Sequence, residues 1–399
     1  PCRLILFRVS ISLKTRQLDS VTASFPLFFG ENVLMKTMVR KISRLAAITG
    51  LIALSATAVA KEVRIYNWTD YIDPDLITEF TEKTGIDVVY DTFDSNDVLL
   101  AKSLAGNSGY DIVVPSDYTV AYLIQANRLD SINTDKLPNL KNIWPFVTER
   151  LAEFKGMNEH SVPYFWGTTG IAYDAKKIKE LVPDAPLDSL ELIMNPKYAE
   201  KLASCGIYMI DSPSEMLPVI NMYLGIPAES TDKADLDKAY DALKQIRPYI
   251  KKFHSSEYIT ALANGDACVA LGWSGDIYLA KARAKEAGTN VDIQYFIPKE
   301  GSLVWFDQFT VLKDAPNKDE AYEFINFMLE PENNARAANY VEYATSNEAA
   351  FPHVSEYLIK DEILYPSQED LNKLHIKQPY QHSEQKKLVK FWQDLKNRK

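Results

Sequence analysis

The sequence predicts an α/β protein of two lobes, each built on a mostly parallel sheet covered by helices. Short apolar runs alternate with helical segments between residues 63 and 127, which is the pattern of a parallel sheet with a helix after each strand. The pattern weakens after residue 127 and resumes at residue 167, as expected if the chain crosses to a second lobe. The residues that follow position 60 are numerous enough to bury two separate cores.

The first lobe begins with three strand and helix pairs. Strands are predicted at 63–67, 86–90 and 110–114 because these runs are rich in Val, Ile and Tyr. Helices are predicted at 74–83, 97–105 and 119–127. Pro74 opens the first of these helices, and Gly85 and Gly106 follow the ends of the first and second.

The second lobe is predicted to start with a crossing strand at 167–173. Helices are expected near 188–203, 214–222, 235–247 and 275–287, with strands at 207–210 and 267–271 and a strand at 291–297 that returns toward the first lobe. Further helices are expected at 317–330, 331–340 and 383–396. The predicted lobe boundaries are 61–167 with 292–342 for the first lobe, and 168–291 with 343–399 for the second.

Residues 35–60 have the three parts of a secretion signal. Four basic residues precede an apolar run at 45–54, and Ala58-Val59-Ala60 is a small-residue cleavage site. The apolar run is too short for a membrane span, so export without membrane insertion is expected. Residues 1–34 precede Met35, the first methionine, and are interpreted as upstream sequence outside the native protein.

Charge and cysteine content narrow the function classes. Residues 1–60 hold eight basic and two acidic residues, so the remainder has a net charge of −16 rather than −10. Such a chain repels nucleic acid and anionic lipid and attracts cations, although solubility alone is an alternative explanation. Cys205 and Cys268 are the cysteines of the exported part. They favour a disulfide over two buried thiols.

Four segments combine aromatic rings with hydroxyl or carboxylate groups: 67–72, 113–118, 272–278 and 304–309. Aromatic faces and carboxylates together suit an organic cation. Most of the polar residues also have a structural interpretation. Ser116 or Asp117 can cap a helix, Glu215 fits a capping box after Ser212, and Asp276 lies at a helix start. Asp307 has no such alternative.

Enzyme motifs do not match well. Residues 272–276 resemble a nucleophile elbow, but Asp276 stands where the second glycine belongs. The histidines are scattered without metal-ligand spacing, and no phosphate loop or calcium loop is present, so neither a metal nor a cofactor is expected. Glu215 and Asp307 could serve as the paired carboxylates of a glycosidase only if their separation allowed it.

Several longer segments carry a family resemblance, among them YNWTDYI, GYDIVVPS, PYFWGTTGIAY, LANGDACVALGWSGD and NKDEAYEFINFML. On the basis of these segments, the chain resembles the periplasmic polyamine-binding proteins of ABC importers. The resemblance extends over residues 61–399. The resemblance implies the two-lobed periplasmic-binding fold of type II, with ligand held in the cleft between the lobes. It also implies a disulfide between Cys205 and Cys268.

The same resemblance implies roles for the site residues. An aromatic box is expected from Trp68, Tyr71, Trp273, Trp305 and Tyr343. Asp276 and Asp307 are expected to hold one terminal amine. Thr69, Ser116 and Glu215 are expected at the other amine, with Ser255 as a further polar contact.

Ligand preference stays open at this point. Thr69 and Tyr118 are similar to the spermidine-preferring members, whereas Ser212 lacks the extra acid of those members and Asp117 could supply one instead. Putrescine and spermidine are therefore equal expectations.

The function implied is a monomeric periplasmic protein that delivers polyamine to an inner-membrane ABC permease, with no chemical step. Alternatives are the same fold binding another small organic cation, a polyamine sensor, and, more distantly, a secreted hydrolase.

Overall fold

The computed structural model describes residues 61–372 and 374–397. The predicted signal segment at 35–60 and the segment 1–34 lie outside the described residues. The strands are β1 (Lys61–Trp68), β2 (Ile86–Phe93), β3 (Ile112–Val113), β4 (Val162–Asp174), β5 (Ile207–Met209), β6 (Ile250–Phe253), β7 (Val269–Trp273), β8 (Ile293–Phe296), β9 (Leu303–Val311), β10 (Ala344–Thr345) and β11 (His375–Ile376).

Helices follow most of these strands. They are α1 (Pro74–Thr84), α2 (Asn96–Ala105), α3 (Asp117–Gln125), α4 (Pro145–Leu151), α5 (Met157–His160), α6 (Ala175–Leu181), α7 (Glu191–Met194), α8 (Pro196–Leu202), α9 (Pro213–Tyr223), α10 (Lys233–Ile246), α11 (Glu257–Asn264), α12 (Ser274–Ala287), α13 (Lys318–Met328), α14 (Pro331–Val341), α15 (Glu356–Ile359), α16 (Gln368–Leu371) and α17 (His382–Asn397). Short 3₁₀ helices lie at Thr134–Lys136, Pro138–Asn142, Arg247–Tyr249 and Glu348–His353.

The first three strands form a parallel group. β1 pairs in parallel with β2 on one side and with β3 on the other, and β3 pairs antiparallel with β9. The carboxyl ends of β1, β2 and β3 therefore meet at one edge, where Trp68, Phe93 and the residues after Val113 come together.

A second group is built in the same way. β5 pairs in parallel with β6 and with β7, and β7 pairs antiparallel with β4. β8 pairs antiparallel with residues 171–174 of β4, alongside the part of β4 that also pairs with β7. The carboxyl ends of β5 and β7 lead to the starts of α9 and α12.

Two long buried strands join these groups. β4 pairs with β9 through residues 162–168 and with β7 through residues 169–173. Every residue of β9 is buried, and β4 has a single half-buried residue, Tyr173. Continuous burial of this kind is typical of strands covered on both faces. The strand order is β2-β1-β3-β9-β4-β7-β5-β6.

The structure confirms the α/β class, and many predicted elements agree within a few residues. The helix predicted at 74–83 is α1, which begins after the cap residue Asp73 and ends before Gly85, whose φ is 71°. The helix predicted at 188–203 is instead two short helices, because Pro196 begins α8 directly after Asn195. The elements that were not predicted are β6, β9, β10, β11, α4, α5, α6, α11, α15 and α16. The lobe boundaries stay a prediction.

Cys205 and Cys268 form a disulfide bond, as predicted. It joins the turn before β5 to the residue before β7 and so lies at the end of these strands opposite to α9 and α12. Across residues 61–372 and 374–397, no helix combines the length and apolar character needed to span a bilayer.

Candidate ligand-binding site

A cavity of about 430 Å³ lies where the strand ends of both groups face each other. Most of the predicted site residues line it. They are Trp68, Thr69, Tyr71, Ser116, Glu215, Ser255, Trp273, Asp276, Trp305, Asp307 and Tyr343. Segments that are far apart in sequence thus meet at one place.

The local structure explains why these side chains converge. Trp68 ends β1 and Trp273 ends β7, so both rings project from strand ends. Ser116 is the cap residue of α3, and Glu215 lies in the first turn of α9. Trp305 and Asp307 are two residues apart on β9 and therefore face the same side of the sheet.

Asp307 is a buried carboxylate held by two hydroxyl groups. Ser116 Oγ donates to Oδ1 at 2.6 Å, and Tyr71 Oη donates to Oδ2 at 2.7 Å. Burial raises the pKa of Asp307 to about 7, although both hydrogen bonds act in the opposite direction. A carboxylate has about four acceptor positions, so Asp307 keeps acceptors for a further donor.

Asp276 is also held by two hydroxyl groups, both of which come from tyrosines. Tyr258 Oη donates to Oδ2 at 2.5 Å and Tyr343 Oη donates to Oδ1 at 2.6 Å. Burial raises the pKa of Asp276 to about 6, against the effect of these two bonds. Gly275 makes this possible, because a Cβ there would lie 2.2 Å from the Tyr343 ring.

Asp307 also interacts with the other two buried carboxylates of the cavity, since the charges of Glu215 and Asp276 both raise its pKa, Glu215 more strongly. Ser116, which was expected at the other amine, bonds Asp307 directly through its hydroxyl. The expected placement of Asp276 and Asp307 at one terminal amine stays a prediction.

Glu215 is a third buried carboxylate. Its Oε1 accepts from Tyr118 Oη at 2.6 Å, whereas Oε2 is buried without a hydrogen-bond partner among the described residues. Burial raises the pKa of Glu215, and the positive charge of Lys377 opposes this rise. Ser212 is the cap residue of α9 but makes no side-chain cap bond, so the capping box is not formed.

Aromatic rings form a large part of the remaining cavity wall. Trp68 and Trp273 meet edge to face with ring centroids 5.3 Å apart, and Trp305 lies 6.5 Å from Trp273 and 5.8 Å from Tyr343. Such rings offer apolar and π surface to a ligand. No described residue that lines the cavity is basic. The site can therefore balance the charge of a cation but offers none to a carboxylate ligand.

Two predicted site residues lie outside the cavity lining. Asp117 is fully buried, and its carboxylate accepts from the backbone amides of Tyr118 at 2.6 Å and Phe306 at 3.2 Å. It thus ties the start of α3 to β9, and burial raises its pKa well above the usual range. Tyr118 supports Glu215 from behind through its hydroxyl.

Four lining residues were not predicted: Phe93, Asp94, Asn96 and Ser256. Asn96 fixes Ser116, since its Nδ2 donates to Ser116 Oγ at 2.9 Å and its Oδ1 accepts from the Ser116 amide at 3.1 Å. Phe93 ends β2 beside Trp68. Phe93 and Asn96 could have been predicted as lining residues, because residues 93–96 lie at the end of a parallel strand.

The described part of the chain contains no group of three or more His, Cys, Asp or Glu side chains arranged to hold a metal ion. Side-chain hydroxyl groups hold the cavity carboxylates Asp307 and Asp276.

Comparison with known proteins gives consistent matches. A family model described as bacterial extracellular solute-binding protein matches residues 75–364. The chain is 42% identical over 367 residues to the putrescine-binding periplasmic protein SpuD of Pseudomonas aeruginosa, covering 92% of this chain and 100% of SpuD. It is 43% identical over 329 residues to the putrescine-binding periplasmic protein PotF of Escherichia coli, covering 80% and 89%.

A solved structure is also similar. It is a Listeria monocytogenes protein, provisionally described as a spermidine/putrescine ABC transporter, with a TM-score of 0.77 and 36% identity. The match covers 84% of this chain and 99% of that one.

Proposed function

The chain belongs to the bacterial extracellular solute-binding protein family, and we propose that it captures a linear diamine of the putrescine type for an ABC importer. Its fold is the two-lobed α/β fold of such proteins, as the sequence predicted. The family binds solutes for transport and is not one of enzymes, so the cavity carboxylates serve recognition.

One observation carries the proposal: three buried carboxylates, each held by hydroxyl donors, line one cavity together with several aromatic rings. An alkyl ammonium group has three donors and no acceptor, so it needs negative acceptors at each end of the ligand. The methylenes between two ammonium groups each gain about 0.8 kcal/mol when buried against rings. An α,ω-diamine meets both conditions.

Residue roles follow the expected grouping. Asp276 and Asp307 receive one ammonium group, and Glu215 with Ser116 receives the other. Trp68, Trp273 and Trp305 enclose the methylenes, while Thr69, Tyr71 and Ser255 complete the lining. The names of the two relatives at 42–43% identity favour putrescine over spermidine, which the sequence had left equal.

The cellular compartment and the partners are also part of the proposal. The relatives are periplasmic proteins, and the signal segment at 35–60 would export this chain to the same compartment, where it would act as a monomer. Delivery would require contact with an inner-membrane ABC permease, and for so acidic a chain we expect no nucleic acid partner and no direct membrane insertion.

Calorimetric titration tests the proposal. Residues 61–399 would be stripped of ligand by partial unfolding and refolding, then titrated with putrescine, cadaverine, spermidine and spermine. We expect one-to-one binding that is tightest for putrescine. Absence of heat and of any thermal shift with all four amines would refute the proposal.

A further inference from the structure

Tyr258 lies just outside the cavity lining and contacts two residues of that lining. It belongs to α11 and is fully buried. Its Oη donates to Asp276 Oδ2 at 2.5 Å and accepts from the backbone N–H of Trp273 at 3.2 Å. The ring packs against Gly272, where a Cβ would lie 2.7 Å from it. One hydroxyl group therefore connects the end of β7 to the carboxylate in the first turn of α12.

The direction of these two hydrogen bonds is fixed by chemistry. A backbone amide only donates, and a tyrosine hydroxyl has a single proton. Because Trp273 donates to the Tyr258 oxygen, the hydroxyl proton is free to point at Asp276. A proton on Asp276 Oδ2 would have to donate to that same oxygen, and the hydroxyl proton of Tyr258 would then lose its acceptor. The arrangement therefore favours the ionised form of Asp276.

Asp307 has an equivalent arrangement built from different residues. The Ser116 amide donates to Asn96 Oδ1 at 3.1 Å, which fixes the orientation of the Asn96 side chain. Its Nδ2 therefore faces Ser116 Oγ and donates to it at 2.9 Å. The single proton of the Ser116 hydroxyl is left for Asp307 Oδ1, at 2.6 Å. We call both arrangements donor relays, in which an N–H donates to a hydroxyl and the hydroxyl donates to a carboxylate.

Each donor relay lies within one predicted lobe. Tyr258, Trp273 and Asp276 belong to residues 168–291, whereas Asn96 and Ser116 belong to 61–167 and Asp307 to 292–342. Neither relay contains a contact between the predicted lobes, so both are complete before the lobes close. Groups that are set before binding lose little freedom when the ligand arrives.

We propose that Tyr258 and Asn96 are positioning residues: each directs a hydroxyl proton at a cavity acid, so that Asp276 and Asp307 meet the ligand as carboxylates. This inference rests on the proposed function and deepens it. An ammonium group has donors and no acceptor, so a protonated acid would offer it neither a charge nor a full set of acceptors. Neither positioning residue needs to touch the ligand for this effect.

The charges around Asp276 leave the relay a decisive part. Burial raises the pKa of Asp276 to about 6, and the bond from Tyr258 is the largest effect in the opposite direction. The second hydroxyl bond, from Tyr343, also lowers this pKa. The charge of Asp70 raises it and that of Arg283 lowers it, both less strongly than the hydroxyl groups.

Asp307 shows the same order of effects. Burial raises its pKa to about 7, and the bond from Ser116 is the largest effect in the opposite direction, followed by that from Tyr71. The charges of Glu215 and Asp276 raise this pKa. Loss of the relay at either acid should therefore raise the pKa of that acid, because a hydrogen bond to the charged form is weakened or removed.

Calorimetric titration with putrescine between pH 5 and pH 8.5 tests the relay at Asp276. Tyr258→Phe keeps the ring and removes the hydroxyl. A rise of about one unit in the pKa of Asp276 would weaken binding about fivefold at pH 6 and less than twofold at pH 8.5. Tyr322→Phe is the matched control and should leave the pH profile unchanged. Tyr322 is also buried, and its hydroxyl accepts from the Asn133 amide and donates to the Ser131 carbonyl, away from the cavity.

Asn96→Ala tests the relay at Asp307 independently. The Ser116 hydroxyl would lose the donor that directs its proton, so the pKa of Asp307 should rise. The loss of putrescine affinity relative to wild type should then be about fourfold larger at pH 7 than at pH 8.5. If Tyr258→Phe does not fold, this variant decides.

A merely structural role predicts a different result. Both variants would then have lower melting temperatures and would weaken binding by the same factor at every pH, which would overturn the inference. Carboxyl ¹³C NMR of the ligand-free protein adds a readout that needs no ligand, with the Asp276 signal assigned by its absence from Asp276→Asn. An Asp276 titration that is unchanged in Tyr258→Phe also overturns the inference. Wild-type protein that binds none of the four amines rejects the proposed function, and the inference falls with it.

Discussion

At the scale of single residues, the site works by holding carboxylates in place with hydroxyl groups. Asp307 and Asp276 each accept from two side-chain hydroxyls, and among residues 61–372 and 374–397 neither is paired with a lysine or arginine. A carboxylate fixed in this way keeps its charge available for a ligand and loses little freedom when the ligand binds.

Replacing Asp307 with Asn should weaken putrescine binding at least tenfold. The amide keeps the shape but loses the charge, and a charge-assisted hydrogen bond is roughly twice as strong as a neutral one. Titration calorimetry measures the change. Asp319→Asn is the control, because Asp319 is an exposed partner of Lys136 and should leave affinity unaltered. Unchanged affinity in Asp307→Asn would remove this residue from the site.

Affinity should fall as the pH is lowered from 8 to 5. Asp307 and Asp276 have pKa values raised to about 7 and about 6, and an ammonium group binds their charged forms. At a pH below its pKa, each carboxyl group lowers the affinity about tenfold per pH unit. A total loss of affinity on the order of 10³-fold is therefore expected at pH 5. Binding should release protons near pH 6.5, which titrations in buffers of different ionisation enthalpy detect.

The same shifts affect the ligand-free protein with the opposite sign. A raised carboxyl pKa contributes stability below the unfolded-state value, near 3.8, and loses it as the pH rises through the folded-state value. Unfolding of the ligand-free protein should therefore become easier between about pH 4 and pH 7. An affinity that does not change from pH 8 to pH 5 would contradict the assignment of these two groups.

At the scale of elements, strand ends carry the binding residues while the opposite ends carry the disulfide. Trp273 closes β7 at the cavity, whereas Cys268 lies before its first residue. Five residues of extended strand separate these two by about 16 Å. Stability and ligand affinity should therefore respond separately to changes at the two ends.

Removing the disulfide with Cys205→Ser and Cys268→Ser should lower the free energy of unfolding by about 4 kcal/mol, on the chain-entropy estimate for a loop of this length. Putrescine affinity should stay within about twofold, because the bond is distant from the cavity. Chemical denaturation measures the first quantity and calorimetry the second. A large loss of affinity in a double variant of normal stability would show that the bond shapes the site.

The sequence was informative about elements that are amphipathic or bounded by Pro and Gly, such as α1. It was uninformative about β9, because 303–311 is buried on both faces and has no alternation of apolar and polar residues to mark a strand. Asp307 was nevertheless identified, since an acid within such a run has no structural explanation. Tyr258 could not be found in this way: nothing in the local sequence distinguishes a tyrosine that bonds a carboxylate from one that only packs.

At the scale of the whole molecule, several contacts join residues 61–167 to residues 168–291 around the cavity. The Asp70 carboxylate pairs with Arg283 at 2.9 Å, Asp97 accepts from Ser212, and Tyr118 donates to Glu215. These contacts hold the two predicted lobes together over the cavity, as a closed binding protein requires. Which residues meet across such a cleft depends on tertiary structure, so the sequence alone could name the clusters but not their partners.

The structure of the protein crystallised with putrescine tests the central claim most directly. We predict one ammonium group within hydrogen-bonding distance of Asp276 and Asp307, the other within reach of Glu215, and the methylenes packed against Trp68, Trp273 and Trp305. Putrescine bound elsewhere, or bound with Asp276 and Asp307 both uncontacted, would contradict the account.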